Sequence, residues 1–412
     1  MPTIMKTILR RVGQEKGQAI VLFVGIFTII AVVGAIVIDF GVWYSERRGA
    51  QTDSDLVSLA GAFELFDSAS TFADVDAATQ ISAVDNGIDP VADLQNLSVW
   101  SLEFPDGFEA DPDYCHNPAN HDPNGRLNAV VLDVDHDSRS FFAEIFGLAA
   151  PDIGAHACAR AGSLRSTTGL RPWTVSMYNT PCFDWFDDGD GVKEVDEDRF
   201  IPQFGEDCIF RLESPSSQVG SIRLGDDPGD DCNETGGGAA KYRENIVEGS
   251  DAVCEIGELI DTEPGLNVGP TLTALAELLA GEGECDTENG NLDGIDQFDE
   301  SFEGTSGIVG PDAIFAARDC ATPRGIHIIV LAEFEGTGFD TQPIEGFAAF
   351  FLTQCEATDN DGNIIEIREK CDFTGSLGSS FQIRGFFMRT VELEGAIGAF
   401  DEFGTNVIRL AE

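Results

Sequence analysis

From Ala19 to Ile38 the chain runs for 20 residues without a charged side chain, AIVLFVGIFTIIAVVGAIVI. As a helix rising about 1.5 Å per residue, the run is about 30 Å long, the thickness of a bilayer hydrocarbon core. It exceeds the apolar region of a cleaved signal peptide, and no A-x-A pattern follows it. Asp39 closes the run, and Trp43 and Tyr44 come next, side chains suited to a membrane–water interface. A buried helix of a soluble protein is the competing reading; length favours a retained single span over 19–38 in contact with the lipid bilayer. Lys6, Arg10, Arg11 and Lys16 precede the span, whereas Arg47 and Arg48 after it are partly offset by Asp39 and Glu46. The positive-inside rule then puts the N-terminus in the cytoplasm and the bulk of the chain outside the cell membrane.

Beyond the span the period changes. Leu56, Leu59, Ala60, Phe63 and Phe66 fall on one helical stripe, so residues 41–84 are expected to be helical, continuing the membrane helix with a break near Gly41 or Gly49. LSVWSLEF, 97–104, reads as a strand, and the proline-containing stretch 105–125 as a loop. Alternation at Ala129, Val131 and Val134 predicts a strand. Ser138 is placed to cap a short helix, RSFFAEIFG, ending at Gly147, and Ile153, Ala155, Ala157 and Ala159 alternate as a second strand. From about residue 166 short strands alternate with acidic, glycine-rich loops. The expected strands are 172–178, 207–213, 219–224, 326–334, 344–352, 380–389 and 405–410, with a short helix over Leu272–Leu279 after Pro270. IHIIVLAEF at 326–334 is a continuous apolar run, the mark of a central strand, with which 344–352 and 380–389 can pair. The expected fold class is α+β: a transmembrane helix running into an extracytoplasmic helix, a small α/β pilin-like module, then a β-rich disulfide-bonded domain. The corresponding segments are 1–16, 17–62, 63–165 and 166–412.

Charge sharpens this division. The 412 residues carry a formal net charge of −49. Residues 1–48 hold six basic and three acidic side chains, a net +3, which leaves −52 for the remainder. So acidic a body offers no nucleic-acid-binding face, while 42% apolar residues and 30 Phe supply a core and argue against disorder. All ten cysteines, at 115, 158, 182, 208, 232, 254, 285, 320, 355 and 371, lie beyond the span, and none forms a C-x-x-C pair. An even number of scattered cysteines in an exported chain reads as disulfides. Spacing leaves their pairing open, except that Cys355 and Cys371 bracket an acidic insertion between two strand-like runs and are the expected pair.

Several motifs combine near the span: Gly17-Gln18 before the apolar run, Asp39-Phe40-Gly41 at its end, Glu46-Arg47-Arg48-Gly49-Ala50-Gln51 after it, and Leu59-Ala60-Gly61-Ala62 beyond. Together they resemble the N-terminal module of TadE/TadG-type proteins of Flp (tight adherence) pilus assembly. The strand, Phe-Phe segment and Ala-rich strand of 128–161 are similar to the extracytoplasmic part of the same group. The resemblance implies a non-enzymatic membrane protein whose partners are other Tad/Flp assembly proteins or pilins. It also implies structural roles for the Asp39/Gly41 exit and the Arg47/Arg48/Gln51 collar. Pilin-like members of the group are cut after a glycine and carry Glu five residues on; counted from Gly17, that position holds Leu22. An apolar residue there removes a costly intramembrane charge and favours an anchored accessory protein over a processed minor pilin.

Candidate chemistry is confined to acidic turns. Asn289, Asn291, Asp293, Gly294 and Glu300 fill positions 1, 3, 5, 6 and 12 of a calcium-loop pattern, with the Ile295 carbonyl and Gln297 at positions 7 and 9. Asn at position 1, Asp296 in place of an aliphatic residue and the lack of flanking helices weaken the match. The turns at 186–197 and 357–368 fit less well, and a solvated turn in an acidic protein is the competing reading for all three. Calcium binding at 289–300 would make the protein a calcium-dependent, membrane-tethered adhesin or binding module. Cys115-His116 and His121-Asp122 could be read as zinc ligands, but a bridged Cys115 is favoured in an oxidising compartment. His136, His156 and His327 lie in strand-like runs and read as structural. The sequence contains no GxSxG, HExxH, GxGxxG or GxxxxGK[ST] pattern. Asp137-Ser138-Arg139-Ser140 has the wrong spacing for a D-x-S-x-S adhesion site, and Gly236-Gly237-Gly238 reads as a flexible loop.

Overall fold

The computed structural model describes residues 16–66, 70–91, 94–102, 114–122, 125–146, 150–178, 182–186, 199–206, 208–211, 219–225, 232–233, 238–263, 268–280, 302–304, 314–317, 323–333, 341–359, 363–373, 380–392, 396–401 and 403–410. The chain divides into two units, residues 1–102 with 109–160 and 410–412, and residues 103–108 with 161–409.

The first unit is organised by one helix, α1 (Lys16–Phe63), of 48 residues and about 72 Å. Its most apolar window has a mean hydropathy of 3.1, and among the described residues it is the one helix long and apolar enough to cross a membrane. Side chains along the apolar run are exposed, Val21 at 73% and Phe27 at 63%. The expected break at Gly41 or Gly49 does not occur: α1 passes both. A glycine costs a helix only about 1 kcal/mol, too little to interrupt a run this long. The helix ends instead in a 3-10 turn, Glu64–Phe66, where Arg126 donates to the carbonyls of Leu65 and Phe66. A separate helix follows, α2 (Phe72–Asp85), opened by Thr71, whose N–H and hydroxyl both donate to the Asp74 carboxylate.

Three antiparallel strands complete this unit: β1 (Leu94–Trp100), β2 (Ala129–Asp137) and β3 (Asp152–Thr167). β2 lies between the others, with Leu94 opposite Val134 on one side and Ala129 opposite Arg160 on the other. β1 begins three residues earlier than expected and ends at Trp100, and a bulge at Asn96 (φ 51°) shifts its register. The buried face of α1 also differs from the expected stripe. Of that stripe Leu56 is 45% exposed, Leu59, Ala60 and Phe63 are half-buried and Phe66, in the 3-10 turn, is buried, whereas on α1 itself Ser54, Val57, Ser58, Gly61 and Ala62 are buried. Small residues win because the helix backbone approaches its neighbours closely: a Cβ on Gly61 would lie 2.5 Å from Thr79 Cγ2 and 3.3 Å from Val130 Cγ1. Val57 packs with Ala83, Ile88, Leu132 and Val134. Cys115 and Cys158 form a disulfide at the β3 side of this layer.

The part of β3 from Ala161 onward belongs to the second unit. There follow β4 (Leu170–Ser176), β5 (Phe183–Phe186), β6 (Arg199–Pro202), β7 (Cys208–Arg211), β8 (Val219–Ile222), α3 (Ala239–Val247), β9 (Cys254–Glu255), β10 (Leu259–Glu263) and α4 (Val268–Ala280). The remainder is β11 (Phe302–Gly304), β12 (Ile314–Ala317), β13 (Gly325–Leu331), β14 (Thr341–Pro343), β15 (Gly346–Thr358), β16 (Ile364–Arg368), β17 (Ser380–Glu392), β18 (Ala396–Gly398) and β19 (Thr405–Leu410). All seven expected strands are present, β19 at its expected bounds and the others with shifted ends. α4 begins before Pro270 because a proline in the first helical turn sacrifices no intrahelical bond. α3 follows immediately on the segment read as a flexible glycine loop.

β13 is central, as expected. It pairs parallel with β4 and antiparallel with β15. β17 pairs with β15 rather than with β13, and β7 lies on the far side of β17. The FAAFFL run of β15 is apolar throughout because both faces of the sheet are buried. Ala348, Phe350 and Leu352 join Trp173, Ile328, Phe387, Ile246 and Leu275 in the main core, while Ala349 and Phe351 pack with Met388 on the other face. Trp173 Nε1 donates to the Tyr242 hydroxyl (2.8 Å), which lies 3.0 Å from Thr271 Oγ1, so β4, α3 and α4 share a buried polar chain. Cys182–Cys208, Cys232–Cys254 and the expected Cys355–Cys371 are bridged; Cys285 and Cys320 lie outside the described residues.

Candidate functional site

Among the described residues of the first unit, a long-range polar cluster sits where the apolar run of α1 ends. Asp39 is 2% exposed, although it is the first charged residue after 22 uncharged ones. Its carboxylate accepts three consecutive backbone amides. Phe141 N–H donates to Oδ1 (2.9 Å), Phe142 N–H to both oxygens (3.2 and 3.1 Å), and Ala143 N–H to Oδ2 (2.6 Å). Burial alone would raise the Asp39 pKa; the amides of Ala143, Phe141 and Phe142 outweigh it and hold the carboxyl below its ordinary value.

Two more α1 side chains, Trp43 and Glu46, close on the same strip, and Gln51 reaches the start of β3. Trp43 Nε1 donates to the Arg139 carbonyl (3.2 Å), and the Glu46 carboxylate accepts the Arg139 amide (3.4 Å). Gln51 Nε2 donates to the His156 carbonyl (2.9 Å) and to Asp55 Oδ1 (2.8 Å). Between these, Ala50 packs against Ile153 and Ala155, with Trp43 at the edge. Positions 39, 43, 46 and 50 advance by three or four residues, so they lie on one face of α1. The result is a collar: one helix face clamps the backbone of 139–143 and the start of β3.

The collar revises the local expectation for 139–147. The expected helix is only a 3-10 turn, Ala143–Phe146, and the amides that lead into it are bound by Asp39 from 102 to 104 positions away. Ser138 does not cap it; its hydroxyl donates to the Pro151 carbonyl. Of the residues expected at the exit and collar, Asp39 and Gln51 are engaged. Gly41, Arg47 and Arg48 are exposed, and Trp43 and Glu46 take the places of the arginines. Nothing local in the sequence marks Phe141–Ala143 as the partner of Asp39, because backbone amides are available at every position.

The expected calcium ligands Asn289, Asn291, Asp293, Ile295, Gln297 and Glu300 lie outside the described residues, as do 187–198. Of the third turn only the ends are described. There Asp359 accepts the Asn363 amide (2.8 Å) and side chain (3.0 Å), which closes the β15–β16 hairpin. Among the described residues no three His, Cys, Asp or Glu side chains converge as a metal site. Cys115 is bridged to Cys158, as favoured over zinc ligation. His121 stacks on Trp100 at 4.0 Å, with Nε2 3.1 Å from the Cys115 carbonyl oxygen.

Comparison with known proteins bears on this same region. Residues 17–64 match a family model described as putative Flp pilus-assembly TadE/G-like, and residues 60–159 match one described as putative Tad-like Flp pilus-assembly. No curated protein and no solved structure matches the chain. Asp39, Trp43, Glu46 and Gln51 fall in the first match and their backbone partners in the second. Residues 17–159, which contain the whole collar, are thus similar to the Tad-like families of Flp pilus assembly.

Proposed function

We propose that the chain is a membrane-anchored, non-catalytic component of Flp-type pilus assembly. Residues 19–38 cross the membrane, the segment before them is cytoplasmic, and the acidic body lies outside. The observation that carries this reading is the collar. Asp39, Trp43, Glu46 and Gln51 of the first matched region hold the backbone of the second through direct hydrogen bonds. The position of the anchor therefore fixes the position of the module built on it. A component that must present a surface at a set height above a membrane needs such a rigid joint. The basic residues before the apolar run and the disulfides beyond it support the orientation.

Deletion of the gene should abolish or sharply reduce surface Flp pili, and the wild-type gene should restore them while Asp39→Ala restores them poorly. Unchanged piliation in the deletion strain counts against the proposal. Protease added to intact spheroplasts should degrade everything beyond α1 and spare the N-terminus. N-terminal sequencing of the mature protein adds a further check: an intact start fits the anchor, and a start at Gln18 fits a processed pilin.

A further inference from the structure

The collar brings Phe142 and Ala143 beside the end of the apolar run. A cleft of about 280 Å³ is lined by Val32, Ala35, Ile36 and Asp39 of α1 together with Phe142 and Ala143. Val32 lies seven residues before Asp39, about 10 Å along the helix axis. Phe142 and Ala143 therefore lie alongside the last two turns of the run, at the depth where it leaves the bilayer in the anchored reading. On this segment Phe141 is 63% exposed and Ile145 74%, and on α1 Val37 and Phe40 at the end of the run are exposed as well. Large apolar side chains exposed beside an apolar helix are costly in water and mark a contact surface.

The backbone points the same way. Irregular backbone is tolerated near hydrocarbon only if its polar groups are bonded within the protein. Here the amides of Phe141, Phe142 and Ala143 go to Asp39, the Arg139 amide to Glu46 and the Arg139 carbonyl to Trp43 Nε1. Bonded within the protein, these groups carry no cost of desolvation beside hydrocarbon. Exposed Glu144 and Arg139 on the same segment are charged side chains that can reach the headgroup layer while their neighbours face acyl chains.

We propose that residues 139–145 form a second membrane contact, an interfacial wedge in which Phe141 and Ile145 enter the headgroup–acyl boundary beside α1. The partner is the lipid surface itself. The inference rests on the anchored reading of 19–38. Two contacts on one rigid unit fix the tilt and rotation of α1 against the bilayer, which a lone helix leaves free.

The test is photocrosslinking of the full chain in phosphatidylethanolamine–phosphatidylglycerol vesicles. The photoreactive residue p-benzoylphenylalanine is placed singly at Phe23, Phe141, Ile145 and Ile81, all exposed, so folding is preserved. Ile81 lies in α2, which packs at Gly61, about 33 Å along α1 from Asp39. The expected result is lipid adduct at 141 and 145 comparable to that at 23, and none above background at 81. Adduct at 23 without adduct at 141 and 145 overturns the wedge and leaves the anchor standing. Absence of adduct at 23 overturns the anchor and the wedge with it. Crosslinking of 141 to a second copy of the chain, or equal lipid adduct at 81, also overturns the wedge.

Discussion

Asp39 shows how a single carboxylate can be both buried and ionised. Desolvation opposes its charge, but three amides donate to it, and such charge-assisted bonds are about twice as strong as neutral ones. Because its folded pKa is lowered, its contribution is present above the unfolded value of about 3.9 and is lost as pH falls through the folded value. Hydrogen exchange of the 141–143 amides should therefore stay protected from neutral pH to about pH 4 and lose protection below. Asp39→Asn should raise exchange there several-fold and flatten the pH dependence. Persistent protection in Asp39→Asn would show that the amides are held by something else. Arg324 reverses the roles, a buried cation set among backbone acceptors. It is 1% exposed and donates to the carbonyls of Leu352, Thr353 and Glu369, pinning β15 to the stem of the Cys355–Cys371 loop. Arg324→Ala leaves those carbonyls without this donor and should cost about 3 kcal/mol, read as a lower urea midpoint for the second unit.

At the scale of elements, the half of α1 beyond Asp39 packs through closeness rather than apolar bulk. Gly61→Leu should loosen α2 from α1 by about 1–3 kcal/mol through overpacking, because Thr79 is β-branched, buried and unable to turn away. Gly41→Ala and Gly49→Ala meet nothing within 4 Å and should each stabilise the helix by about 0.5–1 kcal/mol. Thermal melts of the three variants in detergent check the contrast; destabilisation by all three would mean that Gly41 and Gly49 also face a packed surface. The same closeness explains why the Leu56/Leu59/Phe63 stripe misleads. A period of 3.6 shows that a helix has an apolar face but says nothing about which face a neighbour approaches. In the second unit the period-2 signal fails differently: β13 and β15 are buried on both sides, so they read as unbroken apolar runs. Cys355–Cys371 closes the loop between β15 and β17, a separation of 16 residues. Its removal by Cys355→Ser/Cys371→Ser should cost about 3 kcal/mol, measured as a drop in the melting temperature of the second unit.

At the scale of the whole molecule, a net charge of −49 means that the body repels itself, and salt relieves the repulsion as the screening length falls from about 10 Å at 0.1 M to about 3 Å at 1 M. The apparent melting temperature should rise between those concentrations equally in NaCl and KCl; no rise would place the carboxylates too far apart to matter. The apolar helix, the disulfide-rich strand domain and most strand positions are legible in the sequence, because each depends on local composition and period. Asp39 too stands out there as an anomaly, a charge at the end of an uncharged run. Its partners do not, since Phe141–Ala143 contribute backbone amides that carry no side-chain signature across a separation of 102 positions. Local order along the chain is enough to settle which segments are helix and strand, where the charge lies, and that cysteines beyond the apolar run pair with one another. Three-dimensional packing alone selects which helix face is buried, which strands are neighbours, and that Asp39, Trp43, Glu46 and Gln51 act together. Those outcomes depend on close approach between distant segments, where one glycine or one free amide counts for more than the local pattern around it.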